Sequence, residues 1–184
     1  MLDIRIKVDE RSLKEAARIL KAIPRAMPRV MRRAIKKTVD KTVVEFKDKI
    51  VEKVNLKKGD IGRALKKTYS AEYGSIAAKY TRTGLLEFKG TAPSAHGVRY
   101  RIYRNEARKM IEHGFIQRMQ SGHRGVFART RKTRLPIQEK RGPSVWTIIT
   151  GTPGLLKGVI EVSGNRMSKL INDQIGVEFR RWSR

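Results

Sequence analysis

The chain has 184 residues, 39% hydrophobic and 33% charged, enough for one domain with a core of ordinary size and too patterned for global disorder. Its 43 lysines and arginines against 17 acids give a formal net charge of +26, so self-repulsion demands an acidic neighbour: nucleic acid, an anionic membrane surface or acidic subunits. The absence of cysteine removes disulfides, thiol catalysis and thiolate metal sites, and no apolar window approaches the roughly 18 residues of a membrane span.

At the amino terminus Leu2, Ile4, Ile6 and Val8 alternate with Asp3, Arg5 and Lys7, the pattern of a half-buried strand. Charges at that spacing do not suit an export signal, and synthesis and folding in the cytoplasm are expected. Ser12 and Glu15 have capping-box spacing, and Leu13, Ala16, Ala17, Leu20 and Ile23 predict a short helix ending near Pro24. Met31, Ala34, Ile35, Thr38, Thr42, Phe46, Ile50 and Val54 then mark the inner face of a long helix. On its flank Arg29, Arg33, Lys37 and Lys41 follow one another at intervals of four. Such a like-charged ridge costs a few tenths of a kcal/mol per pair in an isolated helix. It is either a solvated face or a surface turned to DNA or to an acidic subunit.

Asn55 is placed to cap a further helical turn over 59–66. Lys67 to Tyr73 and Ile76 to Thr81 read as two strands about Gly74, opening a meander. The five tyrosines, Tyr69, Tyr73, Tyr80, Tyr100 and Tyr103, fall in extended segments, where packing a sheet against a helix competes with base stacking. After a loop from Gly84 to Ala95, the run Val98, Tyr100, Ile102 predicts another strand. Arg99, Arg101 and Arg104 lie on or near its opposite face, a stripe suited to phosphate or carboxylate oxygens.

From Ser121 to Val145 the chain carries its densest positive charge. Gly122 and Gly125 bracket a turn, Val126 to Arg129 and Arg134 to Glu139 read as extended runs, and Gly142-Pro143 closes a hairpin-like pattern. Between the runs, Ala128 to Arg134 lacks a large apolar side chain and is expected as an exposed tip. Arg124, Arg129, Arg131, Lys132 and Arg134 would meet DNA phosphates without regard to sequence, or grip a neighbouring subunit. The last element is an amphipathic helix after Pro153, with Leu155, Leu156, Val159, Ile160, Met167, Leu170, Ile171, Ile175, Phe179 and Trp182 on its apolar face and Gly158 and Gly164 as weak points.

Catalytic constellations are thin. His96, His113 and His123 have no metal-helix spacing, and Gly122-His123-Arg124-Gly125 lacks the context of a phosphate-cradling loop. Ser144 lacks the flanking glycines of a nucleophile elbow. No enzyme activity, cofactor or metal is expected.

The segment from Phe115 to Val145 resembles the phage and prophage minor tail protein Z family, tail-completion proteins of long-tailed bacteriophages. The residues that carry the likeness are Phe115, Met119, Ser121, Gly122, His123, Gly125, Val126, Phe127, Leu135, Pro136, Ile137, Glu139, Gly142, Pro143 and Ser144. Lys140-Arg141 departs from it, standing where the family commonly has an apolar or aromatic residue. The resemblance implies a non-catalytic virion protein at the head-proximal end of the tail, assembled as a ring, commonly hexameric. Its partners would be the tail tube, the neck or connector proteins and non-specifically held genomic duplex DNA, with no membrane.

The expected fold is α+β: a mostly antiparallel sheet packed against a long N-terminal helix and a C-terminal amphipathic helix. It is one domain over 1–184 with a projecting basic arm at about 117–143. A cellular, sequence-independent nucleic-acid-binding protein of ribosomal or nucleoid type is the alternative. It accounts for the charge and not for the signature.

Overall fold

The computed structural model describes residues 2–7, 27–131 and 133–182. Val8, the helix expected from Ser12 to Pro24 and Lys132 lie outside the described residues, as do the side chains of Leu2–Lys7, Phe179 and Trp182. The fold is α+β, with two long helices and three small antiparallel sheets in place of one sheet. Two compact units share the chain: Met1–Phe46, Leu65–Ala78 and Thr152–Arg184 in the first, Lys47–Ala64 and Lys79–Gly151 in the second.

In the first unit, β1 (Leu2–Lys7), β2 (Leu65–Tyr69) and β3 (Tyr73–Ala78) form a sheet of order β1-β3-β2. The register sets Leu2, Ile4 and Ile6 opposite Ala78, Ile76 and Gly74. Helix α1 (Met27–Lys53) is about 40 Å long at 1.5 Å per residue and passes from this unit into the second. Val30, Met31, Ala34, Ile35, Thr38, Val39, Thr42, Val43 and Phe46 are buried along it, the stripe that the 3.6-residue period requires. Gly74, expected between two strands, instead lies inside β3, where Val39 and Ile35 come too close for a side chain.

Helix α4 (Leu155–Trp182) runs antiparallel to α1, through Arg33 with Glu178 at 3.3 Å, Thr42 Oγ1 with Ser163 Oγ at 2.7 Å, and Arg166 with Glu45. Leu155, Val159, Met167, Ile171 and Ile175 are buried, and wholly buried Ser163 completes their spacing. Ile160, expected on that face, is 45% exposed. Gly158 and Gly164 do not break the helix; tertiary packing outweighs their propensity cost of about 1 kcal/mol each.

In the second unit, α2 (Lys58–Ala64) is followed by a 3-10 turn at Leu85–Glu87 and a sheet of β4 (Ala92–Ser94), β5 (Gly97–Tyr100) and β6 (Lys109–Glu112). Then come β7 (Phe115–Arg118), β8 (Arg124–Arg129), β9 (Ile137–Lys140) and the short α3 (Val145–Gly151). Strand β5 stops at Tyr100, two residues short of the expected run. The reason is the C-terminal end of α1, whose last carbonyls need donors. Arg104 supplies its backbone N–H to the Lys53 carbonyl at 2.9 Å and its Nε to that of Val54 at 3.4 Å.

Asn55 does not cap α2. Its Nδ2 donates to the Arg101 carbonyl at 3.1 Å and its N–H to that of Ile102 at 2.9 Å, while the Lys57 carbonyl accepts the first bonds of α2. None of the five tyrosines is fully buried: Tyr69 lies beneath Lys36, 5.6 Å from ring centroid to Nζ, and Tyr80 is 65% exposed with its ring edge-on to Trp146.

Candidate interaction surfaces

The signature residues come together in the sheet β7-β8-β9 and the segment that follows it. Met119 donates its N–H to the His123 carbonyl at 2.8 Å, and Gly122, at φ 80°, makes the turn from β7 to β8. Gly125 belongs to β8 and not to that turn. Val126, Phe127 and Ala128 are buried, with Phe127 opposite Phe115 and their rings 6.2 Å apart. Ala128 is therefore part of the strand, and the tip begins at Thr130.

The tip is held by its own hydrogen bonds. Thr130 donates both N–H and Oγ1 to the Pro136 carbonyl, at 3.2 and 3.0 Å, and Thr133 Oγ1 donates to that of Leu135 at 2.6 Å. These bonds keep residues 134–136 in the loop, so the second extended run starts at Ile137 and not at Arg134. Leu135 is 67% exposed there, between exposed Arg134 and Pro136. Arg131 and Arg134 have no hydrogen-bond or ion-pair partner among the described residues. Arg129 is exposed with its guanidinium 5.9 Å from the Phe115 ring centroid, and Arg124 is exposed opposite Arg118.

Glu139 is the acid that ties the hairpin together. His123 Nε2 lies 2.8 Å from its Oε1, and Arg141 donates to its Oε2 from Nε at 2.8 Å and from a terminal nitrogen at 2.5 Å. Burial pushes the Glu139 carboxyl up, but hydrogen bonds from Arg141 and His123, with their charges, outweigh it and hold the carboxyl below its usual value of 4.5. Its stabilising contribution is full above that value and is lost as pH falls through the lower folded one. In urea titrations Glu139→Gln is expected to be less stable than the parent at neutral pH, with the gap closing in acid; a constant gap rules out the ionic clamp.

Gly142 and Ser144 have structural tasks. The Gly142 N–H donates to the Thr83 carbonyl at 2.8 Å, and the Phe88 ring occupies the space a side chain at Gly142 would need. Ser144 is the N-cap of α3, its Oγ accepting the Thr147 N–H at 3.0 Å. This short helix is not among the elements expected from the sequence, although a serine directly before the apolar Val145, Ile148 and Ile149 is its start signal.

The basic ridge on α1 has Arg29, Arg33, Lys37 and Lys41 all exposed, with Arg32 and Lys36 beside them. The fold adds Lys67 of β2, which no helical periodicity links to α1. Lys67 reaches Asp40, and the hydrogen bond it donates to this carboxylate raises the Lys67 ammonium above its ordinary value. Arg99 is exposed on β5, whereas Arg101 is half-buried and its carbonyl is engaged by Asn55. The expected arginine stripe is thus not continuous.

A cavity of about 180 Å³ in the second unit is lined by Leu56, Ala64 and Val145 with Asp60, Arg63, Lys79, Arg82 and Glu87. Burial raises the Glu87 carboxyl and the charge of Asp60 adds to this, against Arg63. A carboxyl raised on folding binds its proton more tightly in the folded state, so its ionisation costs stability as pH rises past 4.5. Glu87→Gln is expected to raise the Tm at neutral pH and leave it unchanged in acid, by differential scanning fluorimetry; a lower Tm at neutral pH contradicts this.

Among the described residues no cluster of three or more His, Asp or Glu could hold a metal ion, and no helix is long and apolar enough to cross a membrane. No curated protein and no solved structure matches the chain. The family model of the prophage minor tail protein Z (GPZ) matches residues 11–184, the span that contains the hairpin, both long helices and the capped start of α3. The chain therefore belongs to the prophage minor tail protein Z family, and it is a structural protein of the bacteriophage tail, not an enzyme.

Proposed function

We propose that this tail protein completes the tail at its head-proximal end, its subunits closing as a ring, of six as in similar tail-completion proteins, around the DNA passage. Family membership implies contact with other tail proteins. In this reading those are the tube below and the neck or connector above, and the chain acts as one domain whose arm is residues 117–143.

The observation that carries the reading is the braced hairpin. Its tip combines exposed Leu135, Arg131 and Arg134 with hydrogen bonds from Thr130 and Thr133 to the carbonyls of Pro136 and Leu135, which lower the ordering entropy lost on docking. An arm on one surface that fits a different surface of the next copy makes a heterologous contact, which closes into a ring when its rotation permits. A cellular nucleic-acid binder accounts for the charge and leaves the family match unexplained.

Cryo-EM of the purified protein with tail tubes tests the reading. A closed ring at one tube end is the expected result. A protein that ignores tubes and coats duplex DNA overturns it.

A further inference from the structure

One face of the first unit carries a run of exposed cations, with the half-exposed Asp40 among them and exposed Val44 one turn beyond. Along α1, Arg29, Arg32, Arg33, Lys36 and Lys37 precede the first acid, Asp40, and Lys41 follows it; all six are exposed. Steps of four residues advance about 6 Å, so the ridge from Arg29 to Lys41 is about 18 Å long. Edge strand β2 adds exposed Lys67, while its neighbour Lys66, also exposed, points to the other face of the sheet.

The strand is fastened to the helix by two contacts, Lys67 with Asp40 and Lys36 over the Tyr69 ring. The cations thus share one rigid support. Arg29, Arg32, Lys37 and Lys41 have no hydrogen-bond or ion-pair partner among the described residues, and Arg33 meets Glu178 at 3.3 Å.

Two classes of partner would accept such charge, an acidic protein or a nucleic-acid backbone. Protein interfaces carry apolar and aromatic anchors at their centre and are depleted of charge there, while DNA interfaces are polar and strongly positive throughout. Between Arg29 and Lys41 every exposed side chain of α1 is a lysine or arginine. The hairpin sets exposed Leu135 among its arginines, an apolar anchor at its tip, and the surface where Tyr80 meets Trp146 is aromatic. A duplex presents one charge per roughly 1.7 Å of axis, so an 18 Å ridge lies beside about ten phosphates.

We infer that the α1–β2 face, through Arg29, Arg32, Arg33, Lys37 and Lys41, is the surface that takes the DNA backbone, leaving the hairpin for protein contacts. The identity of the DNA rests on the tail-completion reading; the assignment of the face rests on its chemistry.

The test is binding of the full chain to a random-sequence duplex from 50 to 400 mM salt, read by fluorescence anisotropy. Arg29, Arg32, Lys37 and Lys41 are changed together to Ala, exposed positions where alanine favours the helix. Arg129, Arg131 and Arg134 are changed to Ala in a second protein. Each phosphate contact contributes about 0.9 to the log–log salt slope. The slope is expected to fall by about 3 to 4 in the helix variant and by less than 1 in the hairpin variant.

A version with Arg29→Lys and Arg32→Lys keeps the charge and should keep the slope, which separates lost charge from lost fold. An unchanged slope in the helix variant, or a fall confined to the hairpin variant, overturns the inference. So does loss of tube-end binding by the helix variant with DNA binding intact, since that gives the face to an acidic tail subunit. Tube-end binding by the parent is scored separately: its failure alongside the expected slopes removes the tail-completion reading and leaves the DNA face standing.

Discussion

Gly97→Ala is expected to destroy the sheet β4-β5-β6. A Cβ at this position would lie 2.0 Å from the Ile111 carbonyl oxygen and 3.1 Å from the His113 nitrogen, backbone atoms of the neighbouring strand that cannot rotate away. Gly97 also sits at φ 148°, a region essentially reserved for glycine, which alone costs an L-residue about 1–3 kcal/mol. Adding the overpacking penalty, the loss should be on the order of 3 kcal/mol or more, large against the 5–15 kcal/mol of a typical domain. Urea denaturation and hydrogen exchange at Val98 and Ile111 read it directly. A loss under 1 kcal/mol with protection retained contradicts the packing described for β5 and β6.

The sequence made the long helices legible because their burial follows one period from end to end. Met31 through Ile50 and Leu155 through Ile175 needed no partner to be recognised as inner faces, and the exposed ridge of Arg29, Arg33, Lys37 and Lys41 came from the same count. The hairpin was legible from its turn residues, with its boundaries shifted by two or three positions where threonine hydroxyls bind local carbonyls. What depends on distant pairing was not. That three separate sheets form, and that β2 brings Lys67 beside α1, follows from pairing between segments far apart in the chain. Arg101 and Arg104 were misplaced for the same reason, since the carbonyls at the end of α1 draw that segment away from its strand. The clamp of His123, Glu139 and Arg141 unites residues of two strands, and only the β8–β9 pairing reveals it.

The contact between Phe88 and Gly142 offers the sharpest account of why part of the signature has the residues it has. Phe88 is 1% exposed, and a Cβ on Gly142 would come within 2.6 Å of its Cε2 and 3.0 Å of its Cζ. The ring has no room to retreat, and the Gly142 N–H is committed to Thr83, so neither partner yields cheaply. Phe88→Ala is expected to cost about 3–5 kcal/mol through the cavity it leaves. Gly142→Ala should cost about 1–3 kcal/mol through overpacking. The two changes act on one volume and must therefore couple: with Phe88→Leu, whose shorter side chain vacates the clash, Gly142→Ala should become cheaper by about 1 kcal/mol. A double-mutant cycle from urea denaturation measures this. Additivity within about 0.5 kcal/mol would mean that Gly142 is required for its backbone alone, and that the ring of Phe88 does not set the local identity of the signature.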